Sequence, residues 1–387
     1  MKKNIIEKRA FDYPLLLIVF LLVGIGLIAI LSASAPYAYL RYGDHYYFLK
    51  NQLKWLMIGL ALMWLASRFN YQKYQLLSIP ILFLTLALLV LVLIPGVGKE
   101  IRGVHRWIIL KGFTLQPSEI AKIGIVIYLS SSLVRKREKI RSFFNGFLPY
   151  FIIIGVIFLL IAVEPDLGTA TIIALVAFIL LYAGGVKVSH LFYALVLSLI
   201  PLYFFVFEVG YRKARIIGFL YPEKHSQGIA FQPLHLKISL GSGGLWGLGP
   251  GQGKEKLFYL PTPHTDSIFA VIGEEFGFIG TSVVVILFFL LALWGFKVFK
   301  RAPDELGKLL ALGMTCMICV QAFINMGVAT VLLPTTGTTL PFISYGGSSL
   351  VINLIAIGTL LSISRKGKDK DVRGGDKGKG KDRGDRT

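Results

Sequence analysis

The chain has 387 residues, of which 55% are hydrophobic, a mean hydropathy of +0.69 and a formal net charge of +20. An apolar content this far above soluble usage, arranged in long blocks, excludes a soluble globular domain. The basic residues fall in short connections between apolar blocks and in a tail, where the positive-inside rule expects them, which argues against nucleic acid as a partner.

A bilayer core of about 30 Å takes roughly 20 apolar residues per helix. Blocks of that size predict spans at 13–34, 53–69, 76–95, 119–134, 147–163, 167–183, 191–209, 268–299, 307–333 and 343–364. The first is long enough to cross and lacks a clear small-residue cleavage site, so it reads as a span rather than a removable signal. An even number of spans puts both termini on one side. Lys2, Lys3, Lys8 and Arg9, then Arg135, Lys136, Arg137, Lys139 and Arg141, then Lys297, Lys300 and Arg301 all fall on that side, which the positive-inside rule makes cytoplasmic. The other side receives 35–51, 96–118, the Glu164-Pro165-Asp166 turn, a long loop at 210–267, and 334–342. A loop of that length is expected to carry function. Residues 365–387 alternate Lys, Arg, Asp and Gly and are expected to be a disordered cytoplasmic tail. The expected fold is therefore all-α and polytopic, with about ten transmembrane helices in a domain over 1–364 and a large extracytoplasmic loop between the seventh and eighth.

Several polar groups stand where apolar residues are expected. Glu119 and Lys122, three apart, share a helix face near an outer membrane boundary, as a neutralised pair or a working one. Asp166 opens a span, where it can cap helix N–H groups or serve a second role. Arg212, Lys213 and Arg215 suit phosphate or lipid headgroups. The segment 231–240, FQPLHLKISL, fits a strand or an interfacial helix equally well. Glycines at 241, 243, 244, 247, 249, 251 and 253 tempt a nucleotide reading. The P-loop spacing fails at Leu248 and Glu255, leaving a loop of close backbone approaches. Cys316 and Cys319, a CxxC in an apolar run, read as packing residues. Gln321 and Asn325, four apart in the ninth span, read as helix-to-helix glue. The sharpest candidate is Asp266, a carboxylate at an apolar boundary in a proline-framed turn, suited to taking a proton from a hydroxyl or to capping the helix from Ile268. Glu274 and Glu275 beyond it could support the helix or form a second site.

The blocks RWIILKGFTLQPSEIAK (106–122), EPDLGTA (164–170), YRKARIIGFLYP (211–222), GSGGLWGLG (241–249), KLFYLPTPHTDSIFAVIGEEFG (256–277) and LLPTTGTTLPFISYGGSSL (332–350) together resemble the SEDS family (shape, elongation, division and sporulation). Within it, the KLFYLP…HTD and LPFISYGGSSL blocks are more similar to the division branch than to the elongation branch. The resemblance implies ten spans in the cytoplasmic (inner) membrane and an outward-facing glycosyltransferase that polymerises lipid II. It places the essential acid at Asp266 and substrate-binding positions at Trp107, Glu119, Lys122, Asp166, Arg215, Gln232, His264 and Thr265. A divalent cation, Mg²⁺, with Asp266 as its ligand is expected from carboxylate and pyrophosphate chemistry. The implied partners are a class B penicillin-binding protein and other membrane proteins of the division machinery. Ser267, where the family usually has Phe, and His235-Leu236, where it often has Gln-Ser, depart from the pattern and bear on local loop packing. A lipid II flippase, a non-catalytic division scaffold and an elongation role are the alternative readings.

Overall fold

The computed structural model describes residues 12–101, 104–110, 113–207, 210–221, 228–257 and 259–381. Its helices are α1 (Tyr13–Tyr42), α2 (Tyr47–Arg68), α3 (Tyr74–Leu93), α4 (Pro117–Arg135), α5 (Leu148–Val163), α6 (Leu167–Ala183), α7 (Val188–Phe207), α8 (Gly210–Leu220), α9 (Phe231–Ser242), α10 (Ile268–Arg301), α11 (Glu305–Ala329) and α12 (Gly347–Lys381). Each of the ten expected spans meets a helix. Among the described residues eight helical segments are long and apolar enough to cross a membrane by length and composition. The two remaining spans are α6, which is apolar but short, and α2, whose first half is polar.

The centre of the bundle is α4, buried from Pro117 to Leu133 except at Ile120, with α3, α5, α6, α11 and α12 packed around it. Its buried side includes Ser130, Ser131 and Ser132 as well as aliphatic residues. Lipid removes most of the hydrophobic drive between spans, so small and hydrogen-bonding side chains hold such interfaces. The opposite case is α7, which leaves Phe192, Tyr193, Leu197 and Ile200 exposed for lipid.

Two elements differ from the expected outline, and a third settles an open alternative. The 96–118 connection folds into an antiparallel sheet of β1 (Gly98–Ile101), β2 (Val104–Leu110) and β3 (Phe113–Leu115), with Lys99 opposite Trp107 and Ile108 opposite Leu115. The ambiguous 231–240 segment is helical. Pro233, Leu236 and Ser239 recur every third residue on its buried face against α10, and Pro233 sits in the first turn, where it costs no internal hydrogen bond. Finally, α12 continues to Lys381, through most of the segment expected to be disordered. Extending a packed helix adds a hydrogen bond per residue without a new nucleation cost. Residues 382–387 lie outside the described set.

A break divides α10 at Gly277, whose φ of 65° and ψ of −161° belong to a region essentially reserved for glycine. Backbone groups freed inside a membrane must find partners within the protein. The glycine-rich loop supplies them. Leu248 N donates to Glu274 O (3.0 Å), Gly249 N to Glu275 O (3.0 Å), and Phe278 N and Ile279 N donate back to Gly244 O (2.8 Å) and Leu245 O (3.2 Å). A Cβ on Gly277 would lie 2.4 Å from Gly247 N, so the chains meet backbone to backbone. Glu274 Oε1 accepts from the N–H groups of Lys254 (2.6 Å) and Glu255 (3.1 Å), and Glu275 pairs with buried Lys256 at 2.6 Å. The two glutamates are thus anchors for this loop.

Gly277→Ala is expected to lower stability by at least the roughly 1–3 kcal/mol of backbone strain, read as a fall in melting temperature of the detergent-solubilised protein. Gly24→Ala, inside α1 where an added Cβ meets nothing within 4 Å, is the control and should not lower the melt, since alanine favours a helix interior over glycine.

Candidate functional site

The turn before α10 runs between Pro261 and Pro263 into His264-Thr265-Asp266. Thr262, caught between the prolines, holds a left-handed φ of 48°. Such strain persists only where the surroundings enforce it. Here Thr262 O accepts from Thr265 N (3.0 Å), and Thr262 Oγ1 donates to Asp266 Oδ1 (2.6 Å). Thr265 Oγ1 lies 2.9 Å from the same carboxylate oxygen and 3.1 Å from Thr262 O, one proton serving both. The helix cap is Ser267, not Asp266, and it makes no side-chain cap bond. The Asp266 side chain is half-buried, and its Oδ2 accepts no hydrogen bond among the described residues.

The backbone of this turn is held at three consecutive residues. His264 O accepts from Tyr345 N (2.9 Å), Thr265 O from Ser344 Oγ (2.6 Å), and Asp266 O from Asn325 Nδ2 (3.0 Å). The His264 ring is buried 4.4 Å from the Phe48 ring and 5.7 Å from that of Tyr345. Two of the donors come from the α11–α12 connection, and the third, on α11, also donates to Thr338 O of that connection (2.7 Å).

The same connection collects most of the other candidates. Arg215, exposed on α8, donates to Thr335 O at 3.2 Å. Gly168, two residues past Asp166, fits so closely that a Cβ would lie 2.4 Å from Thr338 Cγ2. Asp166 is both cap and tie: Oδ1 accepts from Thr169 N (3.2 Å), while Oδ2 accepts from Gln116 Nε2 (3.1 Å) and Ser118 Oγ (3.2 Å) at the head of α4. Lys122 and Glu119 form a buried ion pair at 2.7 Å; Lys122 Nζ also donates to Gln321 Oε1, and Gln321 Nε2 donates to Thr339 O at 2.9 Å. Lys122 is 1% exposed, with its charge engaged on Glu119 and Gln321. Trp107, half-buried on β2, and Gln232, half-buried in the first turn of α9, make no hydrogen bond to this connection among the described residues. Of the two departures, Ser267 is a buried cap, and His235 Nδ1 lies 2.6 Å from Glu255 Oε2, tying α9 to the loop.

Sequence reasoning passed over Glu164. Its carboxylate is buried beside Asp166, neither oxygen has a hydrogen-bond partner among the described residues, and Arg106 Nε donates at 2.7 Å to its backbone oxygen instead. Burial first, and the Asp166 charge second, push its pKa up to about 8, against the pull of Arg106. The available signal was two acids two residues apart at a span boundary. Among the described residues no three His, Cys, Asp or Glu side chains gather as a metal cage.

Crossing helices, a broken helix closed by a loop, and a braced carboxylate at one end of the bundle define a polytopic membrane protein with a candidate site at the membrane boundary. A family model for FtsW, RodA and SpoVE, described as "Cell cycle protein", matches residues 13–369. The chain belongs to the FtsW/RodA/SpoVE family of cell cycle proteins. It is 41% identical to the "Probable peptidoglycan glycosyltransferase FtsW" of Geobacter metallireducens over 95% of this chain and 98% of that one. It is also 40% identical to the "Stage V sporulation protein E" of Bacillus subtilis over 93% and 98%. Among solved structures it is similar to a chain of a peptidoglycan synthase complex of polymerization and crosslinking (TM-score 0.76, 28% identity, 92% and 98% covered). It also resembles the rod shape determining protein RodA of Thermus thermophilus (TM-score 0.68, 27% identity, 92% and 97% covered).

Two predictions follow from burial. Lys122→Met should strand a buried Glu119 charge and cost about 3–5 kcal/mol; adding Glu119→Gln should recover most of it, both read by thermal melting. For Glu164, the folded state holds its proton more tightly than the unfolded chain, so its stabilising share is complete at low pH and lost as pH rises to about 8. The melting temperature should fall across that window, and Glu164→Gln should flatten the slope.

Proposed function

We propose that the chain is a peptidoglycan glycosyltransferase that polymerises lipid II at the outer face of the cytoplasmic membrane, for septal wall synthesis in division. The observation that carries the site assignment is the turn at Asp266. Its backbone is pinned at three successive carbonyls and one carboxylate oxygen is held by Thr262 and Thr265, while Oδ2 accepts nothing from the described residues. A base held this rigidly at an apolar boundary needs little reorganisation to meet a hydroxyl. The names of the similar proteins support the activity, and the basic residues at the far end of the bundle support the orientation with both termini inside.

In the reaction the acceptor sugar's 4-hydroxyl gives its proton to the Asp266 carboxylate. The new bond forms from that oxygen to the donor's anomeric carbon with inversion. The bond to the bridging phosphate oxygen breaks, and undecaprenyl pyrophosphate leaves with the electron pair. General-base help of this kind is typically 10²–10⁴-fold. Arg215, exposed and bonded to the same connection at Thr335 O, is the cation we assign to the departing pyrophosphate. Asp266 is also the group that would hold Mg²⁺. A single carboxylate, with no cage of three His, Cys, Asp or Glu side chains among the described residues, fits that ion, which binds through one or two carboxylates plus substrate phosphates. When bound, the ion supplies charge neutralisation for the leaving group. A class B penicillin-binding protein is the proposed cross-linking partner, by analogy with the similar synthase complex.

Purified protein in detergent, given lipid II and Mg²⁺, is expected to make glycan polymer. Asp266→Asn should lose at least a hundredfold in rate with an unchanged melting temperature. Polymer made at the wild-type rate by that variant would remove Asp266 from the role, and lipid II transport without polymer would support the flippase.

A further inference from the structure

The junction of α1 and α2 carries a group of aromatic side chains that the proposed chemistry does not use. Over its 30 residues α1 spans about 45 Å at roughly 1.5 Å per residue, against a hydrocarbon core of about 30 Å, so its last turns stand clear of the lipid chains. There Tyr42 and Tyr47 stack at 3.8 Å with planes 10° apart, and Tyr39 stacks on His45 at 4.3 Å and 6°. Tyr39 is 53% exposed, Tyr42 44% and Tyr46 53%. Arg41 donates to Tyr37 Oη (2.5 Å), and Lys50 pairs with Asp44 at 2.8 Å.

The plain reading is an interfacial aromatic belt, in which single rings anchor a helix at headgroup depth. Two observations go beyond it. Three charged side chains lie between positions 41 and 50, which puts this level in water rather than at the edge of the acyl chains. The ring system also runs into the candidate site. Tyr47 packs edge-on against Phe48 at 5.3 Å, and Phe48 lies 4.4 Å from the ring of His264, two residues from Asp266.

Stacked tyrosines are stiff, amphipathic surfaces that give contact area at little entropic cost. The C–H faces of pyranose rings lie flat on such surfaces, and their hydroxyl and acetamide rims need the donors and acceptors that Arg41, Asp44 and Lys50 provide. The charges are of mixed sign, which suits a neutral sugar chain better than a polyphosphate.

We propose that the exposed tyrosines of the α1–α2 junction, Tyr39 and Tyr42 in their two ring stacks with Tyr46 beside them in the chain, form a glycan-binding subsite for chains of N-acetylated pyranoses, holding polymer on its way from the Asp266 turn. The subsite's role in holding product rests on the polymerase reading above; its affinity for sugar does not.

The test uses the full chain in detergent, with Tyr39→Ala, Tyr46→Ala and Tyr46→Phe variants checked by melting temperature. The first probe is a soluble N-acetylglucosamine hexasaccharide, read by ligand-observed NMR. Wild type and Tyr46→Phe should bind it, and the alanine variants should bind about tenfold more weakly, the worth of one aromatic contact. The second probe is polymer length at matched lipid II consumption, which should fall several-fold in the alanine variants and hold in Tyr46→Phe. A wild type that makes no polymer would sink the polymerase reading while the hexasaccharide still decides the subsite. Alanine variants that match wild type in both binding and length would overturn the proposal. So would variants that only melt earlier, as a belt predicts, or that only lose a protein partner.

Discussion

Three hydrogen bonds onto consecutive main-chain carbonyls, at His264, Thr265 and Asp266, decide where the acidic side chain of this protein stands. A carbonyl carries no side-chain identity, so holding three in a row fixes a short segment of chain rather than one rotamer. The donors sit on α11 and on the connection to α12, two elements that also reach Lys122 through Gln321 and Arg215 through Thr335. Residues far apart in sequence are therefore registered against one another through a single irregular connection. Where that connection is buried, its irregular backbone is paired within the protein, Thr338 O by Asn325, Thr339 O by Gln321 and Leu340 N by Ser344.

The ionic groups inside the bundle obey the same rule. Glu119 with Lys122, and Glu275 with Lys256, are buried as pairs whose charges also meet hydroxyl or amide groups. Such pairs are weak sources of stability but strict about geometry, because either partner left alone is costly. Their value lies in setting helix rotation and loop placement around the site. Glu164 is the exception: it lacks a side-chain partner among the described residues and answers its burial by holding a proton.

Much of this was legible in the residues. Long apolar runs locate spans because a bilayer sets a length, and α6 begins and ends at the residues its pattern indicates. The polar first half of α2, from Tyr47, was hidden because apolar content marks where lipid lies, not where a helix begins. The β1–β3 sheet was missed because its short strands hold together by pairing with each other rather than by a clean alternation. The 231–240 segment suited two periods, and contact with α10 chose between them. At the site, Asp266 stood out as an acid at an apolar boundary, and Asn325 and Gln321 as amides in an apolar helix. What those amides hold could not be read, since the acceptors of Asn325 are backbone atoms of distant residues.

The interruption of α10 at Gly277 has a mechanical side. A continuous rod of 34 residues would carry any tilt imposed by a thicker or thinner bilayer straight to its end. Here the stretch from Ile268 to Phe276 is moored to the glycine-rich loop on one side and, just upstream, to α11 and its following connection on the other. The remaining shaft, with Phe278, Val285 and Phe289 turned to lipid, starts from the same anchor, since Phe278 N and Ile279 N donate to Gly244 O and Leu245 O of that loop. The loop is thus a clamp across the break, setting one angle between the two halves of α10 where an unbridged glycine would leave a hinge.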